Sequence, residues 1–433
     1  MCKQISDFTV KTVLCANGER LPTLLHSNNG MPDFDATLWV VTSLRSQNVA
    51  SATIEQALRS IKILYLVLQS KKIALSERLR EGRILDPAEI ELICKAAKQT
   101  TSTTASEAIK QEKTEPHRIA KGVVSLEKFR LRMTTRDNNI DVDSGTTAIR
   151  MSYIRAFLNW RINREIFRAN GEKKTDLLML RNLVDAEMKS KSPSTPGRAT
   201  ISTRTGIDRQ AQTLLLAVVT PDHSQNPWTG EFIKSRNQLI VNLLIALGVR
   251  RGELLGMRIN DIKPRSQDVE ILRRPDDITD PRLNESNTKT RDRVLPLSPE
   301  LYHMIKKYML LRHDIVHGRH DFLIVSKNGE PLSKSETNRI FRDLDEHHAL
   351  RGIGPHTLRH TKCENLADEL HKAGKGDVEI LGYLRQIGGW SDTSKTPYRY
   401  TKRFAQERAA EADISLQKSL YIHKAEDKHE KTH

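Results

Sequence analysis

Apolar residues recur at intervals of three and four along most of this chain. Ala57, Leu58, Ile61, Leu64 and Val67 share one face of a predicted helix that Ser51 or Thr53 can cap. Ile154, Phe157, Leu158 and Ile162 mark another helix over 148–169. Phe232–Leu247 is a strongly apolar helix, and Gly248 is placed to end it. The period then shortens. Asp268–Arg274 and Arg293–Leu297 read as short strands, with a polar turn at Asn287–Asp292. Ser298 and Pro299 open a helix striped by Leu301, Met304, Ile305, Tyr308, Leu311 and Ile315. Ser333 and Glu336 form a capping box for the next, and Leu358–Leu370 and Val378–Ile387 read as two more. The expected class is mainly α with a small β-sheet in the second half.

The breaks in this pattern suggest an organisation. Residues 1–30 read as a short extended arm, with turn signals at Asn17-Gly18 and Asn29-Gly30. A helical domain is expected over 31–188, with a Ser/Thr-rich loop at Thr100–Ser106. Residues 189–206 are rich in Ser, Thr, Pro and basic side chains and carry no apolar period. They read as an interdomain linker, either a solvated loop or a basic strap along phosphates. A second domain follows over 207–415, and 416–433 form a polar tail. Ile414, Leu416, Leu420 and Ile422 are the apolar residues with which that tail could dock.

With 433 residues the chain can build two cores. Composition then narrows the function. A formal charge of +16 and a pI near 9.6 call for a polyanionic partner, nucleic acid before an anionic membrane. No apolar run reaches the roughly 18 residues of a membrane span, and the first residues lack a signal-peptide pattern. Cys2, Cys15, Cys94 and Cys363 are scattered without a C-x-x-C pair, as in a reducing cytoplasm. His313, His317 and His320 recur at helical spacing, but no cysteine or acidic pair stands near them. They read as a polar helix end, and no metal is expected.

The chemistry concentrates in three separated stretches. The first is Gly248-Val249-Arg250-Arg251-Gly252-Glu253-Leu254-Leu255, the second His356-Thr357-Leu358-Arg359-His360-Thr361, the third Thr396-Pro397-Tyr398-Arg399-Tyr400-Thr401. Phosphodiester cleavage needs fixed cations on the non-bridging oxygens, a nucleophile and a proton donor for the leaving oxygen. Arg250 follows the glycine that ends a rigid helix, and Glu253 can brace a neighbouring cation. Arginine is always charged and donates in a planar fork. Arg359 lies three residues after His356, so a helix presents both on one face.

Together these stretches resemble the tyrosine recombinases, the phage integrase family that includes Cre and the Xer proteins. The family's first arginine box reads like G-L-R-x-S-E-L, and its second, H-x-L-R-H, matches His356 through His360. Gly389-Trp390 stands where the family has Gly-His or Gly-Trp, and Arg399-Tyr400-Thr401 matches the nucleophile's context. Lys289, ahead of Val294-Leu295-Pro296, fits the place of the catalytic lysine on a β-hairpin. The motifs span 245–401; the helical region before them matches the family's core DNA-binding domain in position and character only.

The resemblance implies a reaction without metal or other cofactor. Tyr400 attacks the scissile phosphate, leaving a 3′-phosphotyrosyl link and a free 5′-hydroxyl. Arg250 and Arg359 hold the phosphoryl oxygens, Lys289 protonates the leaving oxygen and His356 assists proton transfer at the tyrosine. Trp390 packs and donates through its indole N–H, which has no acceptor nitrogen. The implied partners are double-stranded DNA and further copies of the chain, a tetramer on two DNA sites, in the bacterial cytoplasm.

Some assignments stay open in the sequence. Many relatives place the nucleophile nine positions after the His/Trp site, whereas here Tyr398 follows Trp390 by eight and Tyr400 by ten. The R-Y-T context favours Tyr400. Lys263, Arg291 and Arg293 compete with Lys289. His360 reads as a histidine that supports the site from behind or as a structural one. The rival functions are a type IB topoisomerase, a DNA-binding protein of the same fold without turnover, and a helix-turn-helix regulator, for which a late R-Y-T has no use.

Overall fold

The computed structural model describes residues 8–100, 141–194, 206–283 and 290–429. The chain divides into two compact units, 1–198 and 199–433. Most of the expected linker (195–205), the stretch 101–106 of the Thr100–Ser106 loop, Lys289 and the last four residues lie outside the described residues. The fold is mostly helical with small antiparallel sheets.

The first unit opens with strands β1 (Phe8–Leu14) and β2 (Arg20–His26), paired antiparallel from Phe8↔His26 to Leu14↔Arg20. Where an extended arm was expected, the chain forms a hairpin. Gly18, at φ +86°, makes the turn, and Phe8 and Leu24 are buried in the unit's core. Arg20 closes the hairpin by donating to the Gly18 carbonyl at 2.6 Å. Helix α1 (Phe34–Trp39) leads into α2 (Ser51–Ser70), which buries the whole predicted stripe from Ala57 to Val67. Its N-cap is Ala50, however, not Ser51. Ser51 Oγ instead donates to the Arg20 carbonyl at 2.7 Å, so the hydroxyl ties helix to hairpin.

Helices α3 (Leu75–Arg80), α4 (Pro87–Lys98), α5 (Ser144–Ile166) and α6 (Gly171–Ser190) complete this unit. Asp86 and Glu89 form a capping box at α4, and Asp143 caps α5. Phe157 of α5 meets Trp39 and Tyr65 edge-on, at centroid distances of 5.4 and 5.9 Å.

The second unit begins with α7 (Arg209–Val218) and α8 (Glu231–Leu247). Gly248, at φ +65°, ends α8 as its apolar pattern predicted. Helix α9 (Arg251–Gly256) follows, then a sheet of β3 (Ile262–Lys263), β4 (Asp268–Ile271) and β5 (Arg293–Pro296), ordered β3-β4-β5 and antiparallel. Helix α10 (Pro299–Val316) has Ser298 as N-cap and Pro299 in its first turn. Leu301, Ile305 and Tyr308 are buried as expected, but the buried face then runs through Arg312 and Val316, leaving Leu311 and Ile315 half-buried. A buried arginine is tolerated there because its donors are used, on the carbonyls of Phe322 and His320, each at 2.8 Å. His320 in turn meets the Gly329 carbonyl at 2.7 Å. Among the described residues no His, Cys, Asp and Glu side chains gather as a metal site.

Helix α11 (Lys334–Leu344) carries the predicted Ser333/Glu336 box. Helix α12 (Pro355–Lys372) starts before the apolar pattern does, with Pro355 in its first turn. Helices α13 (Asp377–Gly388) and α14 (Tyr398–His429) follow. The expected tail thus continues a helix, with Ile414 and Leu416 exposed; the side chains of Leu420 and Ile422 lie outside the described residues. Among the described residues no helix is long and apolar enough to cross a membrane.

Candidate active site

Arg250 owes its position to the end of α8. Gly248 turns the chain, Val249 is buried, and Arg250 becomes the N-cap residue of α9. Its backbone N–H donates to Glu253 Oε2 at 2.7 Å, and its Nη1 reaches the Gly388 carbonyl at 3.3 Å. Glu253 is the hub. It accepts two bonds from Arg293, at 3.0 and 2.8 Å, and one from the Thr290 hydroxyl. Burial alone pushes this carboxyl up, but Arg293, Thr290 and the Arg250 N–H outweigh that and hold it below the usual range.

Helix α12 supplies His356, Arg359, His360 and Cys363. Arg359 is 2% exposed. A guanidinium that buried needs partners, and it donates to the Gly248 carbonyl at 2.7 Å and the Gly388 carbonyl at 2.6 Å. Burial, with Arg250 beside it, pulls its pKa down to about 10, so it stays charged at neutral pH. Arg250 and Arg359 therefore converge on one oxygen, that of Gly388. Trp390 lies under both, 4.5 Å from the Arg359 guanidinium and 5.7 Å from that of Arg250. These are cation–π contacts, through the ring face rather than the indole N–H. Gly388 must be glycine, since a Cβ there would run into the Trp390 ring.

The two tyrosines separate cleanly. Tyr400 is 4% exposed and Tyr398 is 51% exposed. The Tyr400 hydroxyl lies 2.7 Å from His360 Nδ1 and also bonds the Cys363 thiol. Phe404, one turn on, stacks on His371 of α12 at 4.3 Å and fixes α14 there. Tyr398 instead lies against Arg385, 5.8 Å away.

The structure thus gathers Arg250, Arg359, Trp390 and Tyr400, with His356 stacked edge-on against His360 at 4.3 Å. Lys289 lies outside the described residues, and each of its competitors forms an ion pair. Arg293 is held by Glu253, Arg291 by Asp392 at 2.9 Å and Lys263 by Glu270 at 3.0 Å. Just after Lys289, the Arg291 N–H donates to the Gly389 carbonyl at 3.1 Å.

Sequence reasoning missed three things. His360, read as a supporting or structural histidine, directly touches the tyrosine hydroxyl. Gly388 supplies the shared acceptor, and the Gly-Gly-Trp run was the signal available. Thr290 and Arg293 lock Glu253, which no short motif reveals. The electrostatics follow from crowded cations. Burial lowers both histidines, helped by Arg359 and Arg399, and His360 falls to about 4. Burial, with Cys363, raises the Tyr400 phenol well above its usual value.

Residues 222–407 match the phage integrase family. Among curated relatives, the chain is 26% identical over 135 residues to tyrosine recombinase XerC of Staphylococcus carnosus, covering 31% of this chain and 41% of that protein. It is 26% identical over 137 residues to XerD of Oceanobacillus iheyensis, with the same shares. The matches thus span about two fifths of the relatives' length. Solved structures similar to the chain include the XerH recombinase bound to difH substrate, at TM-score 0.42 and 15% identity, covering 82% of this chain and 96% of that one. Another is the Tn1549 transposon integrase with transposon right end DNA, at TM-score 0.38 and 16% identity, covering 75% and 100%. Residues 222–407, within the second unit, thus form a domain that matches the phage integrase family, and the curated relatives this region resembles are tyrosine recombinases.

Proposed function

We propose that this protein is a site-specific DNA recombinase that breaks and rejoins duplex DNA through a 3′-phosphotyrosyl intermediate, in the service of a mobile element. The observation that carries this reading is the convergence of Arg250 and Arg359 on one oxygen, at 3.3 and 2.6 Å, beside the buried Tyr400. A neutral carbonyl is a weaker acceptor than a phosphodiester oxygen. An arriving phosphate therefore draws the two guanidiniums off the Gly388 carbonyl without new cations having to be assembled.

In this reading Tyr400 Oη forms the bond to phosphorus as the bond to the 5′-oxygen breaks. Arg250 and Arg359 stabilise the charge that builds on the non-bridging oxygens. Lys289 protonates the 5′-oxygen; the anchoring of Thr290 and Arg291 at the site supports that assignment. His356 assists proton transfer at the tyrosine, and Trp390 holds the two guanidiniums from below. The covalent link keeps the energy of the broken bond, so another 5′-hydroxyl can reseal it. The first unit serves as the core DNA-binding domain, copies of the chain assemble as a tetramer on two sites, and the protein works in the bacterial cytoplasm. Affinity comes mainly from phosphate contacts and so falls steeply with salt.

The test is a pool of nicked duplexes of randomised sequence, in which cleavage near the nick releases a short strand and traps the adduct. The unmodified protein should form a denaturant-resistant adduct that Tyr398→Phe retains and Tyr400→Phe loses. If no duplex in the pool traps the unmodified protein, the enzymatic reading is wrong.

A further inference from the structure

Tyr400 is buried, and its hydroxyl is tied to His360 Nδ1 at 2.7 Å and to the Cys363 thiol, both on α12. In the recombinase reading that hydroxyl must leave both partners to meet phosphorus. Arg399, the preceding residue, differs from the other arginines around the site. Arg250 and Arg359 donate to backbone carbonyls, Arg293 is held by Glu253 and Arg291 by Asp392. The Arg399 side chain is exposed and, among the described residues, has no hydrogen bond or ion pair.

This guanidinium does not simply point into water. It stands 5.8 Å from the centre of the Tyr400 ring, a cation–π contact. Its charge also reaches α12. After burial it is the strongest influence lowering His360, and it adds to burial and Arg359 in lowering His356. The carboxylate of the site is already taken, since Glu253 accepts from Arg293, Thr290 and the Arg250 N–H. A guanidinium with all its side-chain donors open, in a site crowded with cations, calls for an anion from outside, and its planar fork matches phosphate oxygens.

We propose that Arg399 is a positioning residue for the nucleophile: it binds a backbone phosphate of the DNA strand and so draws Tyr400 from its buried seat toward the scissile phosphorus. The role rests on the recombinase reading above. Arg399 and Tyr400 are neighbours in the first turn of α14, so a bond that moves one moves the backbone of the other. A charge-assisted bond to phosphate is stronger than an exposed ring contact, and the ring releases the guanidinium when DNA arrives. Without DNA the tyrosine stays on His360 and Cys363; with DNA the strand itself supplies the anion that frees it.

The experiment compares Arg399→Gln and Arg399→Lys with the unmodified full chain. Two quantities are read: noncovalent retention of an intact duplex pool across salt, and adduct formation on the nicked-duplex pool at saturating protein. Each phosphate contact adds roughly 0.9 to the slope of log affinity against log salt. Arg399→Gln should make that slope shallower by about 0.9. It should also slow saturated adduct formation by about 10²-fold, the effect of a misplaced nucleophile. Arg399→Lys still offers phosphate a charge, and should keep the slope and recover most of the rate. A change of packing alone would leave the slope where it was. An unchanged slope in Arg399→Gln, or a saturated rate equal to that of the unmodified protein, overturns the role of Arg399 alone. Absence of adduct from the unmodified protein sinks the recombinase reading and this role with it.

Discussion

The phosphate-binding half of this site and its nucleophile half are built differently. Arg250 and Arg359 are locked through backbone, on the carbonyls of Gly248 and Gly388 and on the N–H that Glu253 accepts. Tyr400 is held through side chains alone at its reacting atom, by His360 and Cys363. Backbone anchors hold both guanidiniums side by side, so a short shift from carbonyl to phosphate completes the clamp. Side-chain anchors can release, which suits a hydroxyl that must reach phosphorus. The clamp should thus tolerate no change of shape, whereas the nucleophile's surroundings should tune rate.

The largest break of this comparison is Tyr400→Phe, which should abolish adduct while leaving DNA retention intact. Next is Arg359→Lys. Lysine keeps the charge but cannot span two carbonyls, so adduct formation should fall by roughly 10²–10³-fold, read from single-turnover rates. Glu253→Gln probes the clamp's foundation. It strands the buried Arg293 charge and should cost about 3–5 kcal/mol of stability, measured by denaturant unfolding of the full chain. Gly388→Ala forces a methyl into Trp390 and should cost about 1–3 kcal/mol, with a loss of activity beyond the loss of stability because the shared acceptor shifts.

The smallest effect is a pH dependence. His360 falls to about 4 when folded, against roughly 6.5 when unfolded. Between those values the unfolded chain binds more protons, so stability rises with pH. The contribution is complete above roughly pH 6.5 and is lost as pH falls toward about 4. The Tm of the unmodified protein should therefore drop more steeply across this window than that of His360→Gln. Equal slopes would mean that His360 is not held neutral.

Much of this was legible in the sequence. The helix ends announced themselves through residues with a single local job: Gly248 after α8, Ser298-Pro299 before α10, Ser333 and Glu336 before α11. Arg250 and Arg359 were marked by their motifs, Tyr400 by its R-Y-T context and Trp390 by the family resemblance, and the fold brings them together. What failed depended on partners distant in the chain. Ser51 is a good capping residue, but the Arg20 carbonyl claims its hydroxyl. Residues 1–30 carry turn signals compatible with an extended arm, yet burying Phe8 and Leu24 folds Phe8–His26 into a docked hairpin. Arg312 broke an apolar stripe because two carbonyls were waiting for it. His360 was the hardest, since nothing local distinguishes a histidine that packs from one that meets a tyrosine forty positions away.

The most direct test of the account is to digest the trapped adduct and locate the nucleotide by mass spectrometry. The account predicts one phosphodiester-linked nucleotide on Tyr400 and an unmodified Tyr398. A nucleotide on Tyr398, or on any serine or histidine of the site, would contradict it.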